Sequence, residues 1–284
     1  MCKISIVLPV YNGEDHISYS IESILNQEFD EYELIIVNDC SKDNTQKIIE
    51  EYAKKDRRIV VVNNEVNKKL PASLNVGFRL AQGKYLTWTS HDNAYKKYAL
   101  GTMYKMMEEN PNCGLVYCDY DIINEQGKVV RENKMGEPDD IVRGNVVGAC
   151  FLYKKTVAEK VGEYDTNMFL AEDYDYWLRI YKETTIIHIK ENLYQYRHHE
   201  KSLSATRLID IKKQTARLWM KHIDFLVEKL KNRKDRFQFF DLLYGYADDN
   251  DKKEIVKYFI SYDKLYILKY AKMYLKAKIK GKRG

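Results

Sequence analysis

The chain has 284 residues, a formal charge of +5, and 45% hydrophobic against 31% charged residues. That length allows one large or two modest domains with a real core, and the balance is that of an ordinary soluble globular protein. No apolar run approaches the ~18 residues that a membrane span needs. The five cysteines (Cys2, Cys40, Cys113, Cys118, Cys150) are odd in number and lack CxxC spacing. They argue for free thiols in a reducing compartment and against a disulfide framework or a zinc site. A strand-like segment begins almost at once with no leader-type core before it, so no signal peptide is expected and a cytoplasmic location is.

Taken in chain order, ISIVLPV, ELIIVND, IVVVNN, KYLTWTS and GLVYCDY each read as buried strands rich in Ile, Val and aromatics. Between them, Ile17, Ile21, Ile24 and Leu25 fall at helical spacing, as do Ile48, Ile49, Tyr52 and Ala53. Two further helices are expected around 72–81 and 99–109. Strand–helix alternation of this kind implies an α/β protein with a mostly parallel central sheet flanked by helices. After Asp121 the pattern loosens. DIINEQGKVVREN reads as a hairpin turning at Gln126 and Gly127, GNVVGACFLYKK as a short strand after glycines, and EDYDYWLRIYKE as a short amphipathic helix. From Leu208 the signal is helical and rich in Tyr and Lys, which predicts two regions, 1–206 and a helical, basic 207–284. The last stretch, KLYILKYAKMYLKAKIKGKRG, has no acidic residue. An anionic partner or membrane surface would explain it, and so would a solvated tail.

Ligands of parallel α/β sheets bind beyond the carboxyl ends of the strands. The residues following the strands here are Tyr11, Asn12, Gly13 and Glu14, then Asn38, Asp39, Cys40 and Ser41, then Ser90, His91 and Asp92, and finally Asp119 and Asp121. One edge of the sheet thus gathers aromatic, carboxylate and amide groups. No GxGxxG or GxxxxGK[ST] loop follows the first strand, which argues against dinucleotide and P-loop sites. PVYNGED also lacks the Lys or Arg that nucleotidyl transfer usually needs.

PVYN (9–12), VNDCSKDNT (37–45), LNVGFRLAQGKYL (74–86) and AEDYDYWLR (171–179) together resemble family 2 glycosyltransferases over about 4–204. These are inverting enzymes with the nucleotide-diphosphosugar-binding GT-A fold. The resemblance implies a sugar moved from a nucleotide-diphosphosugar, a UDP-sugar first of all, to a glycan or lipid-linked acceptor in cell-surface polysaccharide synthesis. It implies no nucleic-acid partner. Asp39 stands where the family accepts a hydrogen bond from the nucleobase, a task suited to an acceptor-only group. Pro9 and Tyr11 would line the base pocket, and Asn12, Glu14 and Asn75 are further donor-site candidates.

LTWTSHDN (86–93) matches the family's strand followed by Asp-x-Asp, with Ser90 at the first carboxylate position and Asp92 at the second. Asp92 would hold Mn²⁺ or Mg²⁺ against the diphosphate, Ser90 would contact the sugar, and strand alternation turns His91 the other way. His199, with His198 as the alternative, would complete the metal or diphosphate site, and Arg197 and Lys201 would meet phosphate charge. Asp173 would be the general base, with Glu172 orienting the site or contacting acceptor. Lys68 and Lys69 stand where the family often has a glycine-containing loop. Simpler accounts remain for each: an Asx-type turn between Asp39 and Ser41, Asp92 as a helix cap, and Glu172 and Asp173 as an acidic helix start. Function likewise keeps an alternative, a catalytically inactive nucleotide-sugar-binding protein on the same fold. Outside the resemblance, Tyr266, Leu268, Tyr270, Met273 and Leu275 alternate with lysines as in an interfacial helix, which would dock the protein at the inner membrane face. An ordinary packed helix is the other reading.

Overall fold

A computed structural model describes residues 2–200 and 202–271. The chain divides into two compact units, Met1–Thr206 and Arg207–Gly284. The first opens with β1 (Ile4–Val10), α1 (Ile17–Leu25), β2 (Tyr32–Asn38), α2 (Thr45–Ala53), β3 (Ile59–Asn63), α3 (Leu70–Leu80) and β4 (Tyr85–Trp88). It continues through β5 (Ala94–Tyr95), α4 (Ala99–Glu109), β6 (Cys113–Ile123), β7 (Val129–Asn133), β8 (Phe151–Lys154), α5 (Lys155–Val161), α6 (Glu172–Glu183) and β9 (Thr185–Arg197). A short α7 (Leu203–Thr206) ends the unit.

The described strands form one nine-stranded sheet in the order β3-β2-β1-β4-β8-β6-β9-β5, with β7 beside β6. β1 to β4 are parallel. β8 runs antiparallel to both β4 and β6, and β9 is again parallel to β6. The α/β class read from the strand–helix alternation therefore holds. The sheet is parallel where that alternation is strict and mixed where the sequence pattern loosens.

β1 is buried along its whole length, because both faces of the sheet are covered. Its even residues Ile4, Ile6, Leu8 and Val10 join Ile17, Ile21 and Ile24 of α1 and Met103 and Met107 of α4 in one core. An odd residue, Val7, meets α3 at Gly77, as period-two alternation requires. α3 starts at Leu70 rather than near residue 72, with Pro71 in its first turn, where the missing N–H does no harm. The β6–β7 hairpin turns at Gly127 (φ +77°), and Asn124 Oδ1 closes it by accepting from the N–H groups of Gln126 and Lys128 at 3.1 and 2.9 Å.

The second unit is helical: α8 (Leu208–Lys221), α9 (Ile223–Lys229), α10 (Arg233–Tyr246) and α11 (Lys252–Tyr262). Trp219, Phe239, Phe240, Phe259 and Tyr266 fill its core. Tyr266 is 1% exposed while Leu268 is 69% exposed, so the two do not share the outward stripe expected of them. Met273 and Leu275 lie outside the described residues. None of the described helices is long and apolar enough to cross a membrane.

Two helical glycines make a paired test of the α3–sheet contact. A Cβ at Gly77 would lie 2.4 Å from Val7 Cγ1, whereas one at Gly101 in α4 would meet only Phe29 Cβ at 3.8 Å. Gly77→Ala is expected to lose about 1–3 kcal/mol, and Gly101→Ala to gain about 0.5–1 kcal/mol, both read as shifts in urea midpoint at constant m.

Candidate active site

Asp39 follows the last residue of β2 and is 4% exposed. Its Oδ1 accepts from Asn64 Nδ2 and from the Lys68 N–H, both at 2.8 Å, and its Oδ2 accepts from the Lys69 N–H at 2.9 Å. The chain reaches this arrangement through two left-handed residues, Cys40 (φ +65°) and Lys69 (φ +72°). The loop of Lys68 and Lys69 is thus fastened to Asp39 through backbone, and the lysine side chains play no part in that contact. The Asx-type turn at this strand end belongs to Asn38, whose Oδ1 accepts from the Ser41 N–H at 3.1 Å. Asp39 is not needed for it, and its Oδ2 keeps a lone pair for a further donor.

The loop after β1 is zipped to the loop after β2. Asn12 (φ +52°) donates its N–H to Ser41 Oγ at 3.0 Å and accepts from the Lys42 N–H at 2.8 Å. Gly13 N–H donates to Thr45 Oγ1 at 2.8 Å. Glu14 Oε2 accepts from Asn44 N–H and Nδ2 at 2.9 and 2.7 Å. The polar atoms of Asn12 and Glu14 therefore hold two loops together. Asn75 does the same at longer range, pairing both ends of its buried amide with the Tyr164 backbone at 2.9 Å. Pro9 lies inside β1 in register with Val37. Of the candidates from this side, Tyr11 is 45% exposed and Asn12 and Glu14 are exposed too, whereas Asp39 is buried.

Asp92 lies in the turn after β4, six residues before the α4 N-cap Tyr98, so it does not cap that helix. Its Oδ2 lies 3.1 Å from His199 Nε2, and its Oδ1 is buried with no hydrogen-bond partner. His198 is exposed, so His199 is the histidine that meets Asp92. His91 packs its ring against Gly13, where a Cβ would come within 2.7 Å. Burial lowers the His91 pKa, opposed by the Asp92 charge. His16, which sequence reasoning missed, sits 5.9 Å from the His199 ring, and its pKa is lowered by burial and by Arg197. Ser90 accepts Ser20 Oγ at its carbonyl, 3.0 Å away.

Arg197 does not face phosphate, contrary to expectation. It is 3% exposed, and it donates to the carbonyls of Asp92, Asn124 and Glu125 at 2.9, 2.9 and 2.6 Å. The Tyr19 ring covers its guanidinium at 4.8 Å. Its donors thus hold the Asp92 turn to the tip of the β6–β7 hairpin. Lys201 lies outside the described residues. Among the described residues no three His, Cys, Asp or Glu converge as a metal-ligand set. An orphaned carboxylate oxygen beside an imidazole nonetheless fits a divalent cation that takes its other ligands from a diphosphate and water.

A carboxylate pair, Glu172 and Asp173, opens α6. Asp173 Oδ1 accepts from the Tyr174 N–H at 2.7 Å, and Oδ2 from Asn145 Nδ2 at 2.8 Å. Glu172 is 4% exposed and its Oε2 has no partner. Burial, followed by the charge of Asp173, pushes the Glu172 pKa from 4.5 up to about 8. Asp173 is also raised by burial, with the Tyr174 N–H and Asn145 pulling it back down. Asn145 was missed from the sequence; its one signal there was a lone amide inside the loop GNVVG.

The carboxylates of β6 are engaged separately. Asp119 pairs with His188 Nε2 at 2.7 Å and accepts the Met135 N–H at 2.8 Å, and Asp121 pairs with Lys96 at 2.7 Å. A cavity of about 530 Å³ opens beside Asp119, His188, Glu132 and Lys134.

Residues 5–162 match the family model described as glycosyl transferase family 2. TuaG of Bacillus subtilis, a putative teichuronic acid biosynthesis glycosyltransferase, is 29% identical over 210 residues, covering 72% of this chain and 82% of its own. WfgD of Escherichia coli, a UDP-Glc:alpha-D-GlcNAc-diphosphoundecaprenol beta-1,3-glucosyltransferase, is 29% identical over 216 residues, covering 74% of this chain and 83% of its own. Among solved structures, S. aureus TarS in complex with UDP-GlcNAc aligns with a TM-score of 0.66 at 18% identity, over 86% of this chain and 71% of that one. At that identity the likeness concerns the fold, which agrees with GT-A. The matched family segment spans more than half of the chain, and with the strand-end site built as described, this protein belongs to glycosyl transferase family 2 and is a glycosyltransferase.

Proposed function

We propose that the enzyme transfers a sugar, with inversion, from a UDP-sugar to a hydroxyl of a lipid-linked or glycan acceptor during synthesis of a cell-surface polysaccharide. The observation that carries this reading is the different surroundings of three acids. Asp39 is met by an amide and two backbone N–H groups, Asp92 lies beside His199 with one oxygen unpartnered, and Asp173 is held by Asn145 and the Tyr174 N–H. The UDP-GlcNAc bound to TarS supports the donor class. The names of WfgD and TuaG support the acceptor class and the pathway type.

In this reading Asp39 Oδ2 accepts the imide N–H of uracil while Tyr11 stacks on the ring. Asp92 and His199 would hold Mn²⁺ or Mg²⁺, whose chemistry there would be to neutralise the diphosphate charge. Burial and the Asp173 charge favour the protonated form of Glu172, and the negative charge of the pair is assigned to Asp173, which accepts from two hydrogen-bond donors. The acceptor hydroxyl oxygen bonds to the anomeric carbon as the bond from that carbon to the diphosphate oxygen breaks. The hydroxyl proton passes to Asp173, and UDP leaves with the bonding electron pair. The exposed Leu265, Ile267 and Leu268, at the start of the basic stretch 264–284, would rest on a membrane at its cytoplasmic face and bring the site to a lipid-linked acceptor.

A panel of UDP-sugars assayed for UDP release with Mn²⁺ tests the activity. Asp173→Asn is expected to cost about 10²–10⁴-fold in kcat, and Asp92→Ala to abolish activation by the metal. Turnover unchanged in both variants would sink the assignment, and UDP binding without turnover by the native enzyme would favour a purely binding role.

The raised Glu172 pKa also predicts a stability profile. Its protonated form is the one the folded state prefers, so its contribution is complete below pH 4.5 and is lost as pH rises through about 8. Glu172→Gln removes that titration. The thermal midpoint of the native enzyme should therefore fall relative to Glu172→Gln between about pH 5 and 8; parallel profiles would contradict the raised pKa.

A further inference from the structure

Glu172 and Asp173 are adjacent, share one helix N-terminus and feel the same dipole. A base is useful only if the charge rests on the correct carboxyl and its free lone pair points at the acceptor. Backbone hydrogen bonding of the first turn acts to lower the pKa of both residues, and the Tyr174 N–H donates to Asp173 Oδ1 at 2.7 Å. The feature that separates them is a side-chain donor. Asn145 Nδ2 lies 2.8 Å from Asp173 Oδ2, while Glu172 Oε2 has nothing. We infer that Asn145 is a positioning residue that places the negative charge on Asp173 rather than on Glu172 and orients the basic carboxylate.

The orientation of the Asn145 amide follows from its other contacts. Its Oδ1 accepts from the N–H groups of Val147 and Gly148 at 3.2 and 3.3 Å. Both are backbone donors, so the oxygen must face them and the NH₂ must face Asp173. The loop that presents it is pinned on both sides. Val146 and Val147 are buried at 8% and 0% exposure. Gly148 adopts φ +66°, and a Cβ there would come within 2.8 Å of Met135 Cε and 3.0 Å of Tyr120 Cε1. The amide is therefore held before any substrate arrives, which is how a reactive group is pre-organised. The other titratable groups that act on Asp173 are Glu172 on its own helix, Tyr120 of β6 and Tyr164 from the segment before α6. The tyrosines stay neutral across the working range, since burial raises both.

This inference rests on Asp173 being the base, and two substitutions separate it from the loop's own needs. Asn145→Asp keeps an oxygen for Val147 and Gly148 but cannot donate to an ionised Asp173; Asn145→Ala removes both functions. With the UDP-sugar that the native enzyme turns over, both variants should lower kcat/KM at least tenfold with donor KM within about twofold. Both should also move the acid limb of the kcat/KM profile upward by about one pH unit, since the hydrogen bond to the charged form is gone. Rates and acid limbs like those of the native enzyme in both variants would overturn the inference. So would an Asn145→Ala that only loses thermal stability beside an Asn145→Asp that behaves as native. Asp173→Asn run in parallel keeps the two claims apart. Activity retained there refutes Asp173 as the base, whereas loss there with unaffected Asn145 variants refutes only the role of Asn145.

Discussion

A carboxylate taken out of water must be met by donors or cations, because an unmet one costs several kcal/mol. Much of this fold is arranged around meeting that demand. Asp39 collects an amide and two backbone N–H groups from the 64–69 loop. Asp119 is met by His188 and a backbone N–H, and the fully buried Asp175 by Arg179 at 2.8 Å. Asp92 and Glu172 break the pattern, each with one buried oxygen that has no hydrogen-bond partner. In the proposed function the two differ in role: the Asp92 oxygen would face a cation bound to diphosphate, and the Glu172 carboxyl would hold a proton beside the base.

The same demand ties the sheet to the site. Parallel β1, β2 and β4 deliver their ends to one edge, but strand ends alone do not fix loop conformation. Arg197 does that for the Asp92 turn, by donating to its carbonyl from the end of β9. Asn93 Oδ1 accepts the Arg197 N–H at 2.8 Å in return. On the other side, the Asn12 and Glu14 contacts lock the first loop onto the second. The strand-end loops of the candidate site are thereby tied to the sheet and to one another.

What was legible in the sequence was local. Buried strands, the helical spacing of Ile17, Ile21 and Ile24, and the Gln126–Gly127 hairpin signal all follow from short-range patterns, and each is found. The pairing of β8 and β9 within the sheet was not legible, because such insertions depend on contacts far apart in the chain. The same limit applies to polar partners. Arg197 and Asp92 are 105 residues apart and Asn145 and Asp173 are 28 apart, so the charge of Arg197 in a family-like segment suggested a phosphate role that its carbonyl contacts do not support. Asn12, Glu14 and Asn75 read as donor contacts because they are polar at strand ends or on a motif helix; the structure adds hydrogen bonds by which they also tie loops together.

The account stands on a separation between groups that hold the nucleotide and a group that takes the proton. Calorimetric titration of UDP in the presence of Mn²⁺ into the native enzyme and into Asp39→Ala, Asp92→Ala and Asp173→Asn measures that separation directly. Loss of UDP affinity in the first two, with native affinity in Asp173→Asn, is the predicted result. UDP affinity that ignores Asp39 and Asp92, or that collapses in Asp173→Asn, would contradict it.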